Sequence, residues 1–302
     1  MLAAFLRRWF LWQTLAYAAG SVWLVMAWQW PAWWLLAAWL ALPLLILWVW
    51  TAKLTLHSRP QGLSGWVWWR AIAGETWAIY RLLVWAMPWA RAHSQMLQAG
   101  AQDQQIPVLL IHGYCCNHGV WRDMAPRLQA LGHTVLAINL EPFFCSIDDY
   151  APQVEQAVAQ LRAQTGQQRV ALVGHSMGGL VIRAWMRAYG DAQVAVAVTL
   201  GSPHQGTQIT PHAKLANARQ MVWANDWLQA LQDCESPQRR ALLRLALTAQ
   251  DAIVFPQTAQ SLPGVDTQVF SGIGHLQLCT DARVFAWVAA QLHARQKQQA
   301  IR

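Results

Sequence analysis

"VALVGHSMGGLVIRAW", Val170 to Trp185, decides how the rest of the chain is read. An apolar run leads into Gly174-His175-Ser176-Met177-Gly178, Gly179 adds a further small residue, and an amphipathic stretch follows. A short apolar run that turns at glycine into helical spacing predicts a buried strand, a sharp turn and a helix. In a G-x-S-x-G setting the flanking glycines leave room for a strained turn. That turn lifts the central hydroxyl above the sheet edge, beside the positive end of a helix. Ser176 is therefore a candidate nucleophile. The plainer alternative is an ordinary glycine-rich helix start.

The same strand-and-helix alternation extends on both sides of this segment. "IPVLLIHG" (Ile106 to Gly113), "HTVLAINL" (His133 to Leu140), "RVALVG" (Arg169 to Gly174) and "VAVAVTLGSPH" (Val194 to His204) read as buried strands. "LLRLALTAQD" (Leu242 to Asp251) and "DTQVFSGIGH" (Asp266 to His275) supply two more. Helical stretches fall between them, over about Val120–Leu131, Ile147–Thr165 and Met177–Tyr189, and the chain closes with a helix over Asp281–Arg295. This order predicts an α/β fold, a mostly parallel sheet with helices on both faces. A helical insert at about 203–240 interrupts it. There Met221, Val222, Trp227, Leu228 and Leu231 recur near helical spacing, either as a helix packed on the core or as an apolar wall for a ligand.

A serine nucleophile needs a base, and the base needs an orienting carboxylate. After a strand–serine–helix turn these follow in the order acid, then histidine, each past a later strand. Asp251 lies just past the fifth predicted strand, and His275 sits in the glycine-rich loop after the sixth. Asp266, Asp226, Asp233 and Glu235 are the fallback acids, expected as solvated charges. The backbone N–H of Met177 is one expected oxyanion donor. The loop "HGYCCNHG" offers the other, Tyr114 first and Cys115 second. His112 reads as a structural hydrogen-bonder, and neither Cys115 nor Cys116 has a visible activating arrangement.

The first hundred residues follow different rules. Of 302 residues 55% are hydrophobic and only 12% charged, and sixteen of the 21 tryptophans precede residue 100. Seven basic side chains and one acid, Glu75, lie there, so most of the net charge of +8 belongs to this third. Basic flanks of membrane segments explain that charge, and no nucleic-acid partner is expected. Trp9–Trp28 and Ala32–Trp50 are uncharged and each about the 20 residues a bilayer-crossing helix needs. Gln29-Trp30-Pro31 between them suits a tight hairpin.

Arg7 and Arg8 before the first run, with Lys53 and Arg59 after the second, place both ends in the cytoplasm by the positive-inside rule. The expected location is an inner membrane, with membrane lipids as neighbours and the α/β domain on the cytoplasmic side. A cleaved signal peptide fits poorly, since the apolar core is too long and a second run follows. Ser64–Ala92 reads as an amphipathic helix, either interfacial or packed on the next domain, with Trp66, Trp69, Ile72, Trp77 and Met87 among its stripe. His93–Gln105 reads as a polar linker. The domain boundaries expected are thus 1–60, 61–105 and 106–302. Five cysteines, odd in number and irregularly spaced, read as reduced thiols.

"LLIHGYCCNHGVW", "GHSMGG", "TLGSPHQGT", "QDAIVFP" and "GIGHLQL", in this order, resemble the bacterial triacylglycerol lipase and esterase branch of the α/β-hydrolase superfamily. The resemblance covers about residues 106–295. It implies hydrolysis of carboxylic esters through an acyl-enzyme, with Ser176, Asp251 and His275 as triad and Tyr114 and Met177 as oxyanion donors. It also implies that the first two strands of larger hydrolases are missing. Many such lipases hold calcium near the histidine. Here Leu276 and Gln277 follow His275 and Asp281 is further off, so no metal or other cofactor is expected. The expectation is a membrane-anchored serine hydrolase with an ester or lipid substrate. Acyltransferase or thioesterase chemistry on the same triad, and a non-catalytic scaffold, stay open.

Overall fold

The computed structural model describes residues 1–59, 64–100, 105–209 and 212–300, apart from a few side chains in the second and last helices. Helix α1 spans Leu2–Trp28 and α2 spans Ala32–His57. Between them Gln29 takes a left-handed conformation (φ 57°) and Pro31 an extended one, which reverses the chain within three residues. By length and composition both helices suffice to cross a bilayer. Both carry outward tryptophans; Trp12 and Trp33 are 68% and 61% exposed.

The far ends of the hairpin are buried instead. Helix α1 begins earlier than the apolar run, because Leu6 joins the core and Leu2 and Phe10 pack against it. Arg7 donates to the Pro88 carbonyl at 2.6 Å. On α2, Thr51, Ala52 and Thr55 are buried, and Gln257 Nε2 reaches past the helix end to the Ser58 carbonyl. Both ends of the hairpin thus sit on the α/β domain.

Helix α3 spans Gly65–Tyr80 and continues through wider π-type turns over Arg81–Ala86 and a 3-10 turn over Met87–Trp89. The buried face is not the expected tryptophan stripe. Trp68, Ala71, Ile72, Glu75, Ile79 and Leu82 face inward, while Trp66, Trp69 and Trp77 face out. Trp69 stacks on Trp48 of α2, ring centres 5.9 Å apart. The helix is docked on the next domain.

The expected linker also contains structure: β1, Gln95–Leu97, pairs antiparallel with β3, Val135–Ile138. Three residues are too few for periodicity to reveal, and the pairing decides them. Residues 101–104 of that linker lie outside the described residues. The remaining strands are parallel: β2 Val108–Ile111, β4 Val170–His175, β5 Val194–Leu200, β6 Leu243–Thr248 and β7 Thr267–Phe270. Their order is β1-β3-β2-β4-β5-β6-β7. Leu109 lies in register with Leu136 on one side and Leu172 on the other.

Period-two alternation sends Val108 and Leu110 to one apolar cluster and Leu109 and Ile111 to the other. On the first face lie α4 (Met124–Ala130) and α10 (Ala282–Ala300), through Leu128, Val284, Val288 and Leu292. On the second lie α5 (Ala151–Thr165) and α6 (Met177–Tyr189), through Val154, Val158, Leu180 and Val181. Deleting one such buried side chain to alanine costs about 2–5 kcal/mol. Among its described residues the insert holds short helices: α7 Ala216–Gln220, α8 Asp226–Asp233 and α9 Pro237–Arg240.

Candidate active site

Strand β4 ends at His175, α6 begins at Met177, and Ser176 alone makes the turn. Its φ of 54° is a left-handed conformation that a non-glycine residue adopts at a cost of about 1–3 kcal/mol. The Ser176 N–H donates to Leu200 O and its carbonyl accepts from Gly179 N, which holds the turn from both sides. The glycines serve close approach. A Cβ on Gly174 would stand 2.6 Å from the Gly178 carbonyl carbon, and one on Gly178 would collide with the Ile111 carbonyl oxygen. The Met177 N–H opens a helix whose first N–H groups lack intrahelical partners.

His275 lies past β7 and Asp251 past β6, so parallel neighbours deliver both to the same sheet end. His275 Nδ1 donates to Asp251 Oδ2 at 2.7 Å, and both residues are buried. The other oxygen, Asp251 Oδ1, accepts from Ile253 N and Val254 N, each at 2.8 Å. Three donors thereby fix the carboxylate. Burial pushes the imidazole down, but the charge and hydrogen bond of Asp251, with Glu75, outweigh it and hold His275 above its ordinary value.

The other candidate acids are elsewhere. Asp226, Asp233 and Asp266 are exposed. Glu235 is not the solvated charge expected. It is buried against Arg183, Oε1 accepting from Nε at 2.5 Å, because Arg183 lies inside α6 and has no route to water. The same guanidinium reaches His204 Nδ1 and its carbonyl, pinning "GSPHQGT" beneath the site.

Gly113 touches the serine: a Cβ there would stand 2.8 Å from Ser176 Cβ. The following Tyr114, Cys115 and Cys116 line the same cavity as Ser176 and His275. His112 behaves as a structural group. Its Nε2 accepts from Leu140 N at 3.0 Å, which leaves Nδ1–H to donate to Gly113 O at 2.8 Å, and burial pushes it down to about 4. All five cysteines are free thiols. Burial pushes the Cys116 thiol up to about 12 and raises Cys115 as well, so neither is an activated thiolate.

The cavity holds about 610 Å³. Its walls join three regions: Leu47 and Trp50 from α2, Ile79 and Leu83 from the α3 segment, and Leu215 and Met221 from the insert. The insert residues divide their roles. Met221 lines the cavity, Leu228 and Leu231 are buried, and Trp227 donates to Asp148 Oδ2.

Two site residues escaped the sequence reading. His175, inside the serine motif, faces the His275 carbonyl with Nε2 at 3.2 Å; burial keeps it neutral, so that nitrogen carries the proton. Glu75 lines the cavity although it belongs to α3. Its signal in the sequence was its isolation, the one acid in the first hundred residues.

A family model described as the α/β hydrolase fold matches residues 106–230. The triacylglycerol lipase of Pseudarthrobacter phenanthrenivorans is 29% identical over 198 residues, 56% of this chain and 61% of that one. Methylesterase 8 of Arabidopsis thaliana is 30% identical over 128 residues, 40% and 46% of the two chains. The chain thus spans about half the length of the curated relatives it matches. Among solved structures, the mature Bacillus licheniformis lipase BlEst2 superposes with a TM-score of 0.58 at 15% identity, over 67% of this chain and 99% of that one. The sheet, the serine turn and these similarities together show an α/β-hydrolase fold, similar to that of lipases and esterases.

Proposed function

We propose that this α/β-hydrolase chain is a membrane-bound serine hydrolase that cleaves a lipid-like carboxylic ester. The observation that carries the reading is the cavity, which brings Ser176 and His275 together with Leu47 and Trp50 of a bilayer-length helix. Ser176 Oγ attacks the ester carbonyl and passes its proton to His275 Nε2. Asp251 keeps Nδ1–H in place and offsets the charge on the imidazolium. The Met177 N–H and the Tyr114 N–H hold the oxyanion. The imidazolium then protonates the leaving alkoxide, an acyl-enzyme remains, and water activated by His275 releases the acid.

The apolar walls select an acyl chain, since a charged or hydrated substrate would lose its water against them without replacement. The apolar run of α2 ends at Trp50, and tryptophan favours the membrane interface. On this reading the Trp50 wall of the cavity lies at the depth where bilayer lipids carry their ester groups. The basic residues at both hairpin ends favour the cytoplasmic side for the domain.

The test is labelling of the full chain in detergent with a fluorophosphonate probe. Wild type reacts and Ser176→Ala does not; a folded wild type that stays unlabelled sinks the reading. A reporter fused at the C-terminus gives a cytoplasmic signal, and an extracytoplasmic one overturns the orientation.

A further inference from the structure

Glu75 is the only acidic residue before residue 100, yet it is buried and lines the reaction cavity. Its Oε1 accepts from Leu276 N at 2.8 Å and its Oε2 from Gln277 N at 3.1 Å. These are the two residues that follow His275, and they open a 3-10 turn over Leu276–Cys279. The first N–H groups of such a turn have no partner inside it. A carboxylate from a helix two hundred residues away in sequence supplies one for each.

Bare glycines line the contact on both sides. A Cβ on Gly274 would stand 2.5 Å from Glu75 Oε2, and one on Gly74 would collide with the Gln277 side chain. At Gly272 (φ +76°) a Cβ would meet Arg70 Nη2 at 2.6 Å. Three bare positions, one on α3 and two on the histidine loop, thus let helix and loop approach to contact. Gln277 Oε1 accepts from Gly274 N at 2.8 Å and closes the loop on itself.

We propose that Glu75 is a positioning residue for the hydrolysis assigned above to Ser176 and His275. It clamps the 274–277 segment so that the imidazole faces Ser176, and its charge supports the imidazolium formed during proton transfer. The inference rests on the hydrolase reading. It goes beyond it because residue 75 lies outside the segment matched by the hydrolase family, which begins at 106. The clamp comes from the same N-terminal unit as the apolar hairpin, and the α/β domain does not contain it.

Among the described residues, Lys214 lines the same cavity as Glu75, and the charge of Glu75 raises the buried Cys279 thiol. His275 favours its ionisation and Asp251 opposes it. Arg70 on α3 points to Gly272, and Arg59 beyond α2 lies over the Trp68 ring at 5.9 Å. Above about pH 7, where Glu75 is ionised, an uncharged isostere at 75 removes the second negative charge near the imidazole, which a purely structural cap would not need.

The experiment uses the full chain in detergent, p-nitrophenyl butyrate, and the variants Glu75→Gln, Glu75→Asp and Glu75→Ala. Fluorophosphonate labelling of wild type is run first. In Glu75→Gln we expect KM within about twofold, kcat down about tenfold, and the acidic limb of the pH profile moved to lower pH by about half a unit or more. Glu75→Asp recovers part of kcat, and Glu75→Ala loses more, with faster amide exchange confined to residues 274–279. Slow exchange of the Leu276 and Gln277 amides in wild type is expected independently of any variant. A labelled wild type with kcat and acidic limb unchanged in Glu75→Gln overturns this proposal alone, as does fast exchange at those two amides. An unlabelled wild type overturns the hydrolase reading and this proposal with it.

Discussion

His275 Nδ1 and Asp251 Oδ2 stand 2.7 Å apart with neither residue open to water, and that pair fixes which imidazole nitrogen faces the cavity. Because Nδ1–H is committed to the carboxylate, Nε2 is free to act as the base. Asp251→Asn preserves the shape but presents an amide that favours the wrong tautomer. We expect kcat on a p-nitrophenyl ester to fall by about 10³–10⁴, with the folded state retained by circular dichroism. Activity within tenfold of wild type would remove Asp251 from the proposed triad.

Met221 lines the cavity near its insert-side wall. Met221→Trp fills space that a long acyl chain would occupy and leaves the serine untouched. Comparing acetate with laurate esters, kcat/KM for laurate should drop about tenfold or more relative to acetate. An unchanged ratio would move the acyl chain to another part of the cavity.

Arg183 and Glu235 form an ion pair shielded from water on both sides, with relative side-chain exposures of 0% and 2%. Glu235→Gln leaves Arg183 charged in an apolar setting, whereas Arg183→Met leaves Glu235 its contact with Arg240 at 3.4 Å. Glu235→Gln alone should destabilise by about 3–5 kcal/mol, read as a fall in Tm, and Arg183→Met by less because Arg240 stays beside Glu235. Replacing both, Arg183→Met with Glu235→Leu, should recover most of that loss. Additive losses would show that the pair is not the unit.

Glu75 is held up to about 7, chiefly by burial, against an ordinary value of 4.5. A raised folded-state pKa means that the folded protein binds the proton more tightly than the unfolded chain. The associated stability is whole below pH 4.5, declines as the unfolded carboxyl ionises, and is lost as pH rises through about 7. Relative to Glu75→Gln, wild type should lose on the order of 3 kcal/mol across that window. Thermal unfolding of both proteins at pH 4.5, 6 and 8 measures it. Parallel curves would show that the carboxyl is not desolvated.

Much of the fold was legible because its determinants are local. Continuous apolar runs of strand length, helical spacing between them and one glycine-flanked serine each act over a few residues. The same locality explains the site residues that chain order selected. Asp251, rather than Asp266, Asp226, Asp233 or Glu235, is the acid bonded to His275, because adjacent parallel strands β6 and β7 must release their loops at one sheet end. Glu235 was misread because its burial depends on α6 lying across the chain from it, which no window of sequence contains.

Taken alone, the sequence determined the alternating strands and helices, the serine turn, the apolar hairpin and the order in which acid and histidine arrive. Only the tertiary structure decided that β1 pairs antiparallel to β3, that the outward tryptophans leave Trp68 and Ile72 to dock α3, and that Glu75 meets the two amides beyond His275. The reason is physical. Periodicity reports which face of an element avoids water, whereas a partner is chosen by close packing and by the need of buried polar groups for one another across the whole chain.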